Sequence, residues 1–159
     1  MAHFDRLTLY KNNIAGKLIQ NENIVKALVN NDHNFINQSL PSDFHPVSLL
    51  YSQIFPYMHV PGTNVDATTF ITMSFVNFNY TNNEFRSGMV WFYIFTHFSL
   101  MKTNYGQRTD YILNEVDLLF NKKYGIGEFN LILSNGGGDI HINEDYYGIS
   151  MPYKFLSFQ

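Results

Sequence analysis

Apolar positions near the N-terminus recur with a helical period. Ile14, Leu18, Val25 and Leu28 follow at spacings of four, seven and three, which sets them on one stripe of a helix. Residues 7–31 are therefore expected to be helical. A kink or break is expected at Asn21-Glu22-Asn23, because asparagine is a poor interior helix residue and a good N-cap. Residues 30–46, NNDHNFINQSLPSDFHP, are polar with two prolines and read as a loop with room for one turn of helix.

Beyond this loop the pattern becomes that of strands. Residues 53–60 form a short run holding Pro56, the mark of an edge strand or a bend. VPGTNVDAT follows as a turn-rich connection. Residues 69–78 and 85–98 are rich in β-branched and aromatic side chains and predict two strands, with a hairpin turn at Tyr80-Thr81-Asn82-Asn83. The second strand does not alternate cleanly. Val90, Phe92 and Ile94 are apolar on one face, and Met89, Trp91, Tyr93 and Phe95 on the other. A strand of that kind is covered on both faces, here by the chain's own helix on one and by something else on the other, for which a neighbouring subunit is the candidate.

The period turns helical once more at THFSLMKTNYGQRTDYILNEVDLLF, residues 96–120. Ile112, Val116, Leu119 and Phe120 share a face, with Asp110 near the helix start and Lys122-Lys123 near its end, as the helix dipole favours. Asn104 and Gln107 have capping-box spacing, although Arg108 or Thr109 could equally begin the helix. Gly125 is placed as its stop. Residues 129–133, 139–142 and 147–158 read as further strands, with Gly136-Gly137-Gly138 in a connecting loop. The order predicts one α+β domain over residues 1–159, a mostly antiparallel sheet with an N-terminal helical segment and one central amphipathic helix packed on it.

Composition sharpens the picture of an uncovered surface. Hydrophobic residues make up 45% and aromatic residues 17%, while the charged share is only 14%, well below the usual quarter. With so few charges for its exterior, the chain is expected to place aromatic surface against another subunit. The net charge of −3 and pI near 6.0 lack the footprint of a protein that binds the outside of a nucleic-acid duplex. Cysteine is absent, which excludes disulfides and thiolate metal sites. The N-terminal MAHFDRLTLYKNN has no apolar core long enough for a signal peptide, and the apolar run at 89–95 is far short of a bilayer span. No membrane association is expected.

Three stretches invite a chemical reading. His97, Asp110 and Arg108 suggest an imidazole base with a carboxylate to orient it, the basis of a small enzyme as an alternative. However, no Ser or Cys nucleophile sits in a strained elbow nearby. Asp110 has a sufficient role at a helix N-terminus, and Arg108 is placed to pair with a carboxylate within or across subunits. Asp139, His141, Asn143, Glu144 and Asp145 alternate oxygen and imidazole ligands but lack the glycine and closing glutamate of a calcium loop. The glycine run lacks the lysine and following helix of a phosphate cradle. The expectation is therefore no catalytic residue, no metal and no cofactor. Arg108, Asp110, Trp91, Tyr93, Phe95 and His97 are the candidate subunit-interface or docking residues. A module binding nucleic acid or peptide through exposed aromatics is a third possibility.

A helical segment followed by IFPYMHVPGT, TTFITMSFVNF and a long strand leading into GQRTDYI resembles the tail-terminator and head-to-tail joining (neck) proteins of long-tailed bacteriophages. The resemblance runs from about Ile14 to Phe155. It implies a structural virion protein, made in the host cytoplasm and located at the head–tail neck. Such a protein forms a ring, typically of six copies, that ends the tail tube and docks onto the head connector or head-closure protein. Its axial channel passes DNA without sequence-specific binding. The tail tube protein and further copies of the same chain are the implied partners. Head-closure and tail-completion proteins are the nearest alternatives, and head-closure proteins are more purely β, so the helical segments favour the terminator-like role.

Overall fold

Asn21 divides the N-terminal helical run in two. In the computed structural model, which describes residues 4–63, 66–82, 84–121 and 129–157, α1 spans Phe4–Gln20 and α2 spans Glu22–Val29. The Asn21 side chain accepts a 3.0 Å hydrogen bond from the Ile24 amide, which caps α2 and sets the break. The polar loop that follows contains a single 3-10 turn at Phe35–Asn37, and a second turn spans Pro46–Leu49.

The strands are β1 (Ile54–Phe55), β2 (Thr69–Thr81), β3 (Glu84–His97), β4 (Lys102–Thr103), β5 (Gly106–Gln107), β6 (Phe129–Leu133), β7 (Gly138–His141) and β8 (Tyr146–Ser157). The main sheet runs β1-β2-β3-β8-β6, with β7 also paired to β8. Short β1 is the edge strand the Pro56 segment predicted, and its pairing with β2 is parallel; the other pairings are antiparallel. The fold is α+β with a mostly antiparallel sheet.

Strand period decides the layers. Ile71 and Met73 of β2, Val90, Phe92 and Ile94 of β3, and Tyr153 and Phe155 of β8 bury one face in the main core. Ile14 and Leu18 of α1, Ile24 and Leu28 of α2, and Ile112, Val116 and Phe120 of α3 (Arg108–Phe120) pack into that same core. Two glycines make room between β3 and β8, one for backbone and one for an aromatic ring. A Cβ at Gly148 would lie 2.2 Å from the Ile94 carbonyl oxygen, and one at Gly88 would lie 2.6 Å from the Phe155 ring.

The corner between β3 and α3 departs from the expected capping box. Residues 102–107 instead form the tight β4–β5 hairpin, with Gly106 at φ +92, a conformation glycine adopts without penalty. Gln107 occupies the N-cap position and makes no side-chain cap bond, because the chain enters α3 directly from an extended strand. Lys122, Lys123 and Gly125, expected around the end of α3, lie outside the described residues, as do Asn83 of the hairpin turn and Phe158.

Candidate functional site

The six residues singled out from the sequence fall into three separate environments. Arg108 is wholly buried, which corrects its reading as an inter-subunit contact. Its Nε donates to the Leu100 carbonyl (2.9 Å), Nη1 to Ala27 (2.8 Å) and Asn30 (2.9 Å), and Nη2 to Asp32 (3.0 Å). The guanidinium also lies 4.8 Å from the centre of the Phe35 ring. The last carbonyls of α2 have no helical partners of their own. Asn30 N–H takes Lys26, Gln53 Nε2 takes Leu28 at 2.6 Å, and Arg108 takes Ala27. A cation at that helix end also meets the favourable end of the helix dipole. Burial lowers the Arg108 pKa to about 10, against a smaller raising effect from Asp32, so the group stays charged at neutral pH.

Asp110 is exposed in the first turn of α3. It lines a cleft of about 260 Å³ between α3 and the sheet, beside Asp117, Ile149, Met151 and Tyr153. Tyr153, fully buried, donates a 2.7 Å hydrogen bond to Asp117 Oδ1 across this layer. Burial and that acceptor push the Tyr153 phenol far above its ordinary value.

His97 belongs to the opposite face of the sheet, at the end of the row formed by Trp91, Tyr93 and Phe95 on β3. Its Nδ1 accepts from the Ser99 amide (3.2 Å) and lies 2.7 Å from Ser99 Oγ, and its ring meets Tyr146 edge-on at 5.5 Å. The sheet thus stands between His97 and Asp110, and every hydrogen bond of Arg108 goes to a backbone carbonyl. The three side chains do not form one constellation. The alternating run near 139–145 also serves the backbone: Asn143 Oδ1 accepts from the amides of Asp145 and Tyr146, and its Nδ2 donates to the Pro61 carbonyl. Among the described residues no group of three His, Asp or Glu is placed to hold a metal.

The outer sheet face is closed by the chain itself at one end and open at the other. Phe95 is fully buried in a second core with Phe55, Phe70 and Tyr146, which corrects its reading as an interface residue. The cover comes from the connection after β1. His59 stacks on Phe55 at 4.0 Å, and Tyr146 Oη donates to the Asp66 carbonyl at 3.2 Å. Beyond this cover, Ser74, Val76, Met89, Trp91 and Tyr93 stay only half-buried. Trp91 stacks on Tyr93 at 6.1 Å and Tyr93 on Phe95 at 6.0 Å, so the open rings are held by a buried neighbour.

This open row continues onto a surface that sequence patterning missed. Met58 Sδ lies 3.5 Å from Thr72 Oγ1, the residue paired with Tyr93. Near Met58 in the chain come Val47, Tyr51, Tyr57 and Val60, exposed by 62, 63, 48 and 54%. Tyr51 is held at φ +63, rare for a bulky residue, by a 2.8 Å bond from its amide to the Ile54 carbonyl. No Asp, Glu, Lys or Arg occurs from residue 46 to 65. That charge-free stretch was the legible signal. Tyrosine and methionine enriched over charge is the composition of the buried centre of a protein interface.

A family model, YomW, matches residues 21–155, most of the chain. Neither the curated proteins nor the solved structures contain a match. No helix among the described residues is long and apolar enough to cross a membrane.

Proposed function

We propose that this chain, which belongs to the phage-associated, SPbeta-prophage-type YomW family, is a structural virion protein of the head–tail junction, of the tail-terminator kind. In this reading copies of the chain close into a ring, typically of six, that ends the tail tube, docks onto the head connector and leaves an axial channel for DNA. The observation that carries it is the half-open aromatic row of Trp91 and Tyr93 on the central strand, continuous with the charge-free surface around Met58. A ring needs a heterologous contact, one patch of a subunit fitting a different patch on the next. The half-open sheet face, with the Tyr/Met surface that continues it, supplies one such patch. The net charge of −3 suits a channel through which DNA passes without sticking.

The test is direct. Mass measurement in solution and negative-stain imaging of the purified chain, alone and mixed with tail tube protein, should give discrete rings or capped tubes of regulated length. A strict monomer that leaves tube length unregulated overturns the proposal. Binding to the head connector without effect on tubes would assign the head-closure role instead.

A further inference from the structure

β6 and β7 are two parts of one edge strand along β8. Leu133 pairs with Tyr153, the Ser134 amide donates to the Pro152 carbonyl, and pairing resumes at Gly138 opposite Ser150. Asn135, Gly136 and Gly137 therefore stand opposite Met151 alone. Such a bulge leaves its extra residues outside the ladder. Asn135 and Gly136 are both exposed. Among the described residues, nothing hydrogen-bonds the Gly136 amide or the Asn135 carboxamide. Gly136 sits at φ +114, and a Cβ there would lie 3.6 Å from Trp91 Cη2, so this residue rests against the indole. Asn135-Gly136 is also the one Asn–Gly pair in the sequence.

We propose that Asn135 is a site of spontaneous modification, losing its side-chain amide by cyclisation onto the Gly136 nitrogen. Hydroxide removes the Gly136 amide proton, and the nitrogen attacks Asn135 Cγ. The new N–Cγ bond forms as the Cγ–Nδ2 bond breaks, and the departing nitrogen takes a proton from water to leave as ammonia. Water then opens the cyclic imide at either carbonyl, giving aspartate or an isoaspartate whose main chain runs through the side-chain carbon. One water enters, one ammonia leaves, and no oxidant is needed. Three features of the bulge favour the step: an amide free of the ladder, a glycine with no Cβ to hinder attack, and exposure to hydroxide. Asn143 is the internal contrast, since its side chain is held by three hydrogen bonds. The product places a carboxylate one residue before Gly136, the residue that faces the ring of Trp91, the sole tryptophan of the chain.

The full chain, folded in warm and mildly alkaline buffer, is followed over days by peptide mass mapping, isoaspartate quantification and tryptophan emission. A parallel sample is held in urea. The expected result is loss of the unmodified 135–136 peptide at a rate comparable to that in urea and faster at higher pH. Both aspartate and isoaspartate should form, with Asn143 unchanged in the folded sample. Trp91 emission should shift with the same half-time, and Asn135→Gln should remove both signals while keeping the wild-type circular dichroism. A folded chain that stays intact at Asn135 while the urea sample converts overturns the proposal.

Discussion

The Arg108 guanidinium donates a 2.8 Å hydrogen bond to the carbonyl of Ala27, 81 residues earlier in the chain, and is fully buried while doing so. A single side chain thus ties the end of α2, the loop after it and the start of α3 into one unit. Removing one partner of a buried charged network leaves the others desolvated and unpaired.

Arg108→Ala should accordingly lower unfolding free energy by at least about 3 kcal/mol, because several carbonyls lose their donor at once and each buried group left unpaired costs about 1–3 kcal/mol. Arg108→Lys keeps the charge but not the planar fork that reaches four carbonyls, and should still cost more than about 1.5 kcal/mol. Urea titration of the two variants checks both values. A loss under about 1 kcal/mol for the alanine variant would mean that water satisfies the α2 carbonyls in its place.

Glycine substitutions separate close packing from backbone freedom. Gly148→Ala drives a methyl into the Ile94 carbonyl at 2.2 Å and the Phe95 ring at 2.7 Å, between two central strands that cannot part without losing their ladder. Overpacking of this kind should cost at least about 1–3 kcal/mol. Gly16→Ala, inside α1 with nothing within 4 Å of the new methyl, should instead stabilise by about 0.5–1 kcal/mol. Thermal melts of opposite sign for the two variants are the expected outcome.

Tyr153 makes alkaline stability a readout of the α3–sheet contact. Its folded pKa lies above the unfolded value of 10.0, through burial first and the Asp117 acceptor second. The folded state therefore holds a proton that the unfolded chain releases, so stability is intact below pH 10 and falls as pH rises beyond it. Tyr153→Phe should cost about 0.5–3 kcal/mol at neutral pH through the lost bond to Asp117. It should also flatten the decline above pH 10 relative to wild type. Equal slopes for the two chains in urea titrations at high pH would contradict this assignment.

Local chemistry was legible in the sequence wherever a short period or a cap decides it. Asn21 breaks the helical run because its side chain reaches an amide three residues on, and the strand–corner–helix order follows from the switch of period after His97. The capping box failed because Gly106, at positive φ, turns residues 102–107 into a hairpin instead. Arg108 was misread because its partners are backbone carbonyls far away in sequence, which no side-chain pattern announces. Likewise, alternation puts Trp91, Tyr93 and Phe95 on one face. Only the packing of His59 on Phe55 and the bond from Tyr146 to the Asp66 carbonyl determine that Phe95 is fully covered while Trp91 and Tyr93 stay half-buried.

That division along one row of β3 yields the sharpest test of the assembly reading. Phe95 is packed on all sides, so Phe95→Ala removes core volume and should cost about 3–5 kcal/mol of stability. Trp91 and Tyr93 are half-open, and their truncation removes mainly surface that a second copy would cover. Trp91→Ala with Tyr93→Ala should therefore leave far-UV circular dichroism and a cooperative melt in place while abolishing rings or tube capping, since truncating aromatic anchors at interface centres costs at least about 2 kcal/mol each. If the double variant still assembles like wild type, the contact between copies lies elsewhere, with the Tyr51, Tyr57 and Met58 surface next to be tested. If it unfolds as Phe95→Ala does, the row is core throughout and carries no docking role. Assembly lost from an intact fold is the one outcome that a purely structural aromatic row cannot produce.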